Sequence, residues 1–309
     1  MSKIRHLCTS LTLAVFLASC SKGLVKSSNQ QEKIQNEVVF YNEKSNVGTY
    51  VSSWKGFRTN SFWIETKEGL IAIDTQFLTS ATEEFIETAE KWTHKKFTHA
   101  IVLHPNPDKF NGTGIFQKRN VKVITSEQVL KYIPSVHKLR TEWFFERFKP
   151  DYPSEEPKPE SFGNQTAVYK IGETELKLHV FNKGCSDAHV VVEYNKNLFV
   201  GDLVTQSFHS WLELGYVNDW IQLLQKLQSL EPDKVYVGRG FSGDSELLDR
   251  QIDYLKFVKA TVSDFKKSKK QKLTESTKEK ILNKIFNKYS SYEYQGFVET
   301  GIEAVWERL

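Results

Sequence analysis

Apolar residues form short runs that alternate with amphipathic stretches along the chain after residue 46. The runs at residues 60–66 and 70–73 are separated by the polar turn Lys67-Glu68-Gly69, which predicts a β-hairpin. Ser80 and Glu83 have the spacing of a capping box, so we expect a helix from Ser80 through about residue 94. Two further apolar runs predict strands over residues 97–103 and 121–124.

The second half of the chain repeats this alternation after a proline-rich segment. Residues 150–161 contain Pro150, Pro153, Pro157 and Pro159, which predicts a loop that crosses between the two halves. A β-meander with helices in each half predicts an α/β fold, specifically an αββα sandwich. In the second half we predict strands over 166–171, 174–181, 189–194, 198–202 and 234–237, and helices over 219–230 and 245–266.

The N-terminus has the pattern of a bacterial processing segment. Lys3 and Arg5 precede an apolar core over residues 11–17 that is too short to span a bilayer. Leu17-Ala18-Ser19-Cys20 resembles a lipobox, in which the cysteine is acylated and becomes the first mature residue; the alternative is an ordinary secretory signal. We predict a signal peptide over 1–19, lipidation of Cys20, a polar tether over 20–46, and a folded domain over 47–309 that includes a C-terminal helical segment.

This anchor would place the protein in the bacterial cell envelope. Acyl chains contribute about 0.8 kcal/mol per buried methylene, which makes a stable membrane anchor without a transmembrane helix. Ser21, where inner-membrane lipoproteins usually carry aspartate, favours an outer-membrane or periplasm-facing location. Loss of Lys3 and Arg5 lowers the formal net charge from +4 to about +2, so we expect no nucleic-acid partner.

Two other features of composition bear on function. Cys185 is the one cysteine left free once Cys8 is removed and Cys20 is acylated, so no disulfide is expected. Five lysines cluster within residues 266–272, and they are predicted to form a solvated surface or a contact with anionic lipid.

The chemistry is concentrated where the apolar strands end. Residues 100–103 lead directly into His104-Pro105-Asn106-Pro107-Asp108-Lys109, which resembles the HxHxDH motif of the metallo-β-lactamase superfamily. Three later segments resemble, in order, the GHTxGH, GD and GHG motifs of that family: residues 184–189, Gly201-Asp202 and Gly238-Arg239-Gly240. The resemblance implies an αββα sandwich with a dinuclear zinc centre that activates water for hydrolysis.

The resemblance also implies seven ligand positions, and four of them carry other residues in this chain. The first metal would be held by His104, Asn106 and Cys185, and the second by Asp108, Lys109 and Arg239, with Asp202 between the metals. A charged lysine or arginine has no lone pair to donate. The second metal position is therefore predicted to be lost, and we expect Lys109 and Arg239 to neutralise Asp108 and Asp202 instead.

The first position leaves alternatives open. His104, Cys185 and Asp202 are acceptable donors for a single zinc ion. Cys185 could instead act as a nucleophile with His104 or His189 as its base, or it could be an inert thiol that fills the space of an imidazole. The candidate catalytic residues are accordingly His104, Asp108, Cys185 and Asp202, with no cofactor as the first expectation and one zinc ion as the alternative.

A pocket is expected around these residues. Asn106, His189 and His209 are predicted to line it, and Trp54, Phe57, Trp63 and Trp211 would make its mouth aromatic if their loops face it. We expect a lipid-anchored, zinc-deficient pseudoenzyme that binds a small molecule or a protein partner. The alternatives are a mononuclear-zinc hydrolase of an ester, thioester or lactam and a structural lipoprotein, so the sequence leaves open whether the protein is an enzyme.

Overall fold

The computed structural model describes residues 45–268 and 270–309, together with the backbone of two strands at residues 25–26 and 38–42. The first sheet has eight strands whose spatial order is their order in the chain. They are Val25–Lys26 (β1), Val38–Asn42 (β2), Val47–Val51 (β3), Asn60–Glu65 (β4), Leu70–Ile73 (β5), Phe97–Ile101 (β6), Lys122–Thr125 (β7) and Glu160–Ser161 (β8). The strands from β2 to β5 pair antiparallel, and those from β5 to β8 pair parallel.

The second sheet has five strands. They are Ala167–Ile171 (β9), Thr174–Asn182 (β10), Ala188–Tyr194 (β11), Asn197–Thr205 (β12) and Lys234–Arg239 (β13). The strands from β9 to β12 form an antiparallel meander, and β13 pairs parallel with β12. Every residue of β12 is buried, as expected for a strand that is covered on both faces.

Helices cover the outer faces of the two sheets. They are Thr79–Thr93 (α1), Pro107–Phe110 (α2), Thr113–Lys118 (α3), Glu127–Phe148 (α4), Val217–Gln228 (α5), Glu246–Phe265 (α6), Glu275–Lys288 (α7) and Gly296–Arg308 (α8). Apolar residues of α1 and α3 pack on the first sheet, and those of α5 to α8 pack on the second. Between the sheets, the Phe62 ring lies 5.4 Å from that of Phe199 and 5.3 Å from that of Tyr236. The predicted αββα sandwich is confirmed.

Most predicted elements are present within one to three residues of their expected ends. The hairpin of β4 and β5 is confirmed. The capping box at Ser80 is wrong, because α1 begins at Thr79 and Ser80 donates its backbone N–H and its hydroxyl to Asp151, at 2.7 and 2.6 Å. The carboxylate of Asp151, which is distant in the chain, takes the place of Glu83 as the partner of Ser80.

Two other segments differ from expectation. Val38–Asn42, assigned to the tether, is a strand paired with β3, as its β-branched and aromatic residues favour. Helix α4 was not predicted, because Pro134 interrupts its pattern. The signal peptide and Cys20 lie outside the described residues. Within the described part of the chain, no helix is long and apolar enough to span a membrane.

Candidate functional site

The candidate site lies where the ends of four strands meet. Asp74 follows β5, the segment 104–109 follows β6, Asp202 lies in β12, and Arg239 ends β13. The pairs β5/β6 and β12/β13 are parallel, so the carboxyl ends of each pair lie at the same edge of its sheet. The topology therefore brings together residues that are more than 130 positions apart in the chain.

Lys109 lies among three carboxylates and is 0% exposed. Its Nζ is 3.0 Å from Oδ1 of Asp202, 3.2 Å from Oδ2 of Asp108 and 3.9 Å from Oδ2 of Asp74. The ammonium is not aligned for a hydrogen bond with any of them, so its interaction is ionic. An isolated buried ammonium would be very costly, and Asp108 and Asp202, the two nearest carboxylates, supply the compensating charge.

Arg239 connects the same carboxylates from the other sheet. Its Nη1 lies 2.6 Å from Oδ2 of Asp202, and its Nη2 lies 2.7 Å from Oδ2 of Asp108. Its Nε donates to the carbonyl of Phe57 at 3.0 Å, and the hydroxyl of Thr59 donates to Asp108 at 3.0 Å. We call Asp108, Lys109, Asp202 and Arg239 the ion cluster.

The neighbouring glycine is required by this arrangement. A Cβ at Gly238 would lie 2.0 Å from Oδ1 of Asp202. A side chain there would push the carboxylate away from Lys109, because that distance is far below van der Waals contact. Glycine before Arg239 thus keeps Asp202 within reach of both cations.

All four members of the ion cluster are charged at neutral pH. Burial acts to raise the pKa of Asp202, but Arg239 and Lys109 outweigh it and hold that pKa well below its usual range. The pKa of Asp108 is also lowered, because Lys109 and Arg239 outweigh burial. Burial acts to lower the pKa of Lys109 and Arg239, yet the aspartates raise both. Two anions and two cations make the cluster neutral.

Asp74 differs from the other carboxylates. Burial raises its pKa to about 8, since the distant Lys109 only partly opposes the loss of solvation. Its Oδ1 accepts the backbone N–H of Leu103 at 2.9 Å. Asp74 thereby holds the start of the loop that carries His104, and it adds little net charge at neutral pH.

His104 and Cys185 lie deeper than the ion cluster. Nε2 of His104 is 3.7 Å from Oδ2 of Asp202, and burial lowers the pKa of this imidazole to about 4. Neither of its ring nitrogens has a hydrogen-bond partner among the described residues. Burial raises the pKa of the Cys185 thiol well above its ordinary value. The thiol is therefore protonated at neutral pH, which disfavours its use as a nucleophile.

Three residues were expected to line the pocket, namely Asn106, His189 and His209, and one of them lines the cavity beside the ion cluster. Asn106 lines a cavity beside the ion cluster, together with Phe57 and Trp211. His189 is instead buried, with its Nε2 accepting the backbone N–H of Ser186 at 3.1 Å. His209 is also buried, hydrogen-bonded to the hydroxyl of Tyr254 at 2.9 Å. Neither histidine lines this cavity, because local polar partners hold both in the interior.

The aromatic residues expected at the mouth of the pocket do not all lie there. Trp63 is fully buried in the core, and Trp54 is half exposed and stacks edge-on against Tyr294. Helix α4 supplies three residues of the cavity that sequence reasoning missed: Arg140, Phe144 and Arg147. Their spacing places them on one face of a helix, and this stripe is the signal that would have found them.

The residues present do not fit a zinc centre. Within residues 45–268 and 270–309, no group of three histidine, cysteine or acidic side chains is arranged to hold a metal ion. Both oxygens of Asp202 already pair with cations from the chain, and the Cys185 thiol resists deprotonation. A metal at Asp202 would have to displace Lys109 and Arg239, whose other described carboxylate partners are Asp108 for both and Asp74 for Lys109.

Two sheets between helical layers, with acidic residues at the converging strand ends, define a class of αββα proteins built around a metal-binding edge. A sequence model of the metallo-beta-lactamase superfamily matches residues 54–239, and the chain belongs to this superfamily. The ion cluster occupies the edge at which that family's motifs lie.

Similar proteins include two curated relatives and one solved structure. "Metallo-beta-lactamase type 2" of Elizabethkingia meningoseptica is 24% identical over 189 residues, which cover 60% of this chain and 69% of the relative. The protein of the same name from Bacillus sp. (strain 170) is 24% identical over 270 residues, covering 81% and 96%. A metallo-beta-lactamase structure from Pontibacter korlensis covers 74% of this chain and 98% of its own, with 21% identity and a TM-score of 0.53. That structural likeness supports the fold alone.

Proposed function

We propose that this protein is a lipid-anchored member of the metallo-β-lactamase superfamily that has exchanged its zinc centre for the ion cluster and binds a ligand without hydrolysing it. The observation that carries the proposal is the double pairing of Asp202, with Lys109 at 3.0 Å on one oxygen and Arg239 at 2.6 Å on the other. Zinc hydrolysis needs an open coordination position that holds a water molecule. Here two side chains of the protein occupy the space around the carboxylate.

The charge of the site supports the same proposal. A metal-free site that kept its aspartates and lost its cations would leave two buried carboxylates unpaired, at several kcal/mol each. This chain has cations at two of its four altered ligand positions, and these two cations compensate the charge of the two aspartates. A partner-binding or ligand-binding role then uses the cavity beside the cluster rather than a metal-bound nucleophile.

One observation favours the alternative of a mononuclear-zinc hydrolase. His104 is a buried neutral imidazole whose ring nitrogens lack partners in the described region, and a metal ion would satisfy one of them. Asp202 and Cys185 would have to complete the ligand set. Asp202 could do so only after releasing one of its two cations.

Metal analysis distinguishes these two functions. We expect the protein purified without chelator and without added metal to contain far less than one zinc per chain by native mass spectrometry. His104→Ala and Cys185→Ala serve as matched controls, because each removes one donor of the alternative site. Stoichiometric zinc in the parent that disappears in both variants would overturn the metal-free proposal and establish the alternative.

The membrane anchor requires a separate test, since Cys20 lies outside the described residues. We expect the full-length chain to fractionate with membranes and the Cys20→Ser variant to appear in the soluble fraction, because acylation requires the thiol. Cys185→Ser is the control, since it removes a buried thiol that is not part of the lipobox. Equal distribution of parent and Cys20→Ser protein would contradict the anchor.

A further inference from the structure

A cavity of about 130 Å³ opens beside the ion cluster. Part of its lining is polar and comes from the cluster itself, through Asp108, Asp202 and Arg239. Another part comes from helix α4, through Arg140 and Arg147. Most of the remaining surface is formed by the aromatic rings of Phe57, Phe77, Phe144, Trp211 and Phe297.

The ion cluster has little capacity left for a charged ligand. Arg239 already uses Nε on the carbonyl of Phe57, Nη1 on Asp202 and Nη2 on Asp108. The remaining oxygen of Asp202 faces Lys109. Because the cluster is neutral as a whole, it exerts no net attraction on either sign of charge.

Arg140 is a buried polar group of this cavity that has unused hydrogen-bonding capacity. It is 4% exposed, its Nη2 pairs with Glu213, and its Nη1 has no hydrogen-bond partner among the residues that the structure describes. A buried donor without an acceptor is destabilising, and more so when it is charged. An anionic oxygen from a ligand would remove that cost.

The guanidinium of Arg140 is also held in place. Its Cζ lies 4.2 Å from the ring centroid of Trp143 and 5.3 Å from that of Trp211. The indole N–H of Trp211 donates to Glu213 at 3.0 Å, which fixes the carboxylate that Arg140 pairs with. A planar donor with a restrained orientation loses little entropy when it binds a planar carboxylate.

The charge of the lining selects the sign of the ligand. The ion cluster is neutral and Glu213 balances Arg140, so Arg147 leaves the lining with a net charge of about +1. The aromatic rings around them favour an apolar, flat body. Phe57, Phe77 and Phe144 pack edge-to-face, with centroids 5.0 to 5.8 Å apart, so this part of the wall is preformed.

We infer that the cavity binds a small carboxylate with a flat aromatic body, its anionic group on Arg140 and its body among the rings. This inference rests on the proposed function, because a bound ligand that is not hydrolysed requires the metal-free site. Arg140 is thus the residue that determines specificity, and it lies on a helix that carries none of the family's metal-binding motifs.

The test compares three single-ring probes of similar shape, which suit a cavity of about 130 Å³, by isothermal titration calorimetry: benzoate, the neutral benzamide and the cation benzylammonium. We expect the carboxylate to bind the full-length protein at least about tenfold more tightly than the amide, since a hydrogen bond to a charged group contributes roughly 1.5–3 kcal/mol. The cation should bind more weakly than either. Arg140→Gln combined with Glu213→Gln removes the guanidinium while preserving charge balance, and it should reduce the carboxylate-to-amide ratio to about twofold, because the exposed Arg147 attracts an anion only weakly.

Arg250→Gln is the matched control, because it removes an exposed arginine that pairs with Glu246 on helix α6 and does not line the cavity. Thermal unfolding of each variant identifies loss of fold. If the double variant does not fold, Arg140→Lys replaces it; this variant should still prefer the carboxylate but bind it more weakly. No binding of any probe, equal affinity for carboxylate and amide in the parent, or a preference that is undiminished by removal of Arg140 would each overturn the inference. Zinc content is measured on the same preparations, so failure of the metal-free function is distinguished from failure of the ligand assignment.

Discussion

Lys109→Met is expected to lower the free energy of unfolding by about 3–5 kcal/mol, because it removes one of the two cations that the buried Asp108 and Asp202 share. The side chain it replaces is fully buried and within 3.2 Å of both Asp108 and Asp202. Methionine is similar in length and apolar, so the change removes the charge without creating a large cavity. Urea unfolding at neutral pH measures the difference.

A second variant separates charge from packing. Lys109→Met combined with Asp202→Asn removes one cation and one anion, so it should be less destabilised than Lys109→Met alone. Coupling between residues in contact is commonly 0.5–3 kcal/mol, and roughly that recovery is expected. Equal destabilisation of the single and double variants would show that packing, and not charge balance, explains the effect.

The chain offers a matched control on its surface. Lys67 pairs with Glu173 at 3.2 Å, and the two side chains are 77% and 78% exposed. Lys67→Met should change stability by less than about 1 kcal/mol, as exposed pairs do. If Lys109→Met costs no more than Lys67→Met, the ion cluster does not stabilise this fold.

Restoring the family's ligands is the second large effect that we expect. The variant with histidine at all four altered positions (Asn106→His, Lys109→His, Cys185→His and Arg239→His) should be less stable than the parent in chelator, since Asp108 and Asp202 lose both cations. Zinc at a hundredfold excess over its dissociation constant should then stabilise it by about 2.7 kcal/mol. Thermal unfolding with and without zinc provides the measurement.

Two comparisons make the restoration test specific. The parent should show no stabilisation by zinc, because its cations occupy the site. Asp202→Asn in the restored background should lose most of the response, since it removes the carboxylate that would lie between the metals. Equal zinc stabilisation of the parent and the restored variant would contradict the assignment of these four positions.

Under the proposed function, the ion cluster takes over the charge balance that keeps this scaffold folded without metal. In the family, two zinc ions supply the positive charge that faces the acidic ligands. Here the strand ends still present Asp108 and Asp202, and a lysine and an arginine from the former ligand positions supply that charge. The site is consequently neutral, and its charges are closely paired. Such a site is better suited to stabilising the fold than to activating water.

Local patterns predicted much of the fold. The hairpin of residues 60–73 and the strands that carry His104 and Asp202 follow from apolar runs and turns, which depend on neighbouring residues only. Helix α4 was missed because Pro134 interrupts the local helical pattern, although the helix continues through this residue in the structure. Arg140 could not be proposed as a site residue without that helix.

The sequence by itself determined which residues stand at the ends of the strands, that four of the seven ligand positions are altered, and that two of the replacements are cations. These are properties of residue type and order. Only the tertiary structure decided that Lys109, in helix α2 after β6, and Arg239, at the end of β13, share the same two aspartates, and that His189 and His209 lie in the interior. It also decided that Arg140 is buried beside the cavity with a donor to spare. Distances and burial between residues far apart in the chain depend on how the layers pack, and no local pattern contains that information.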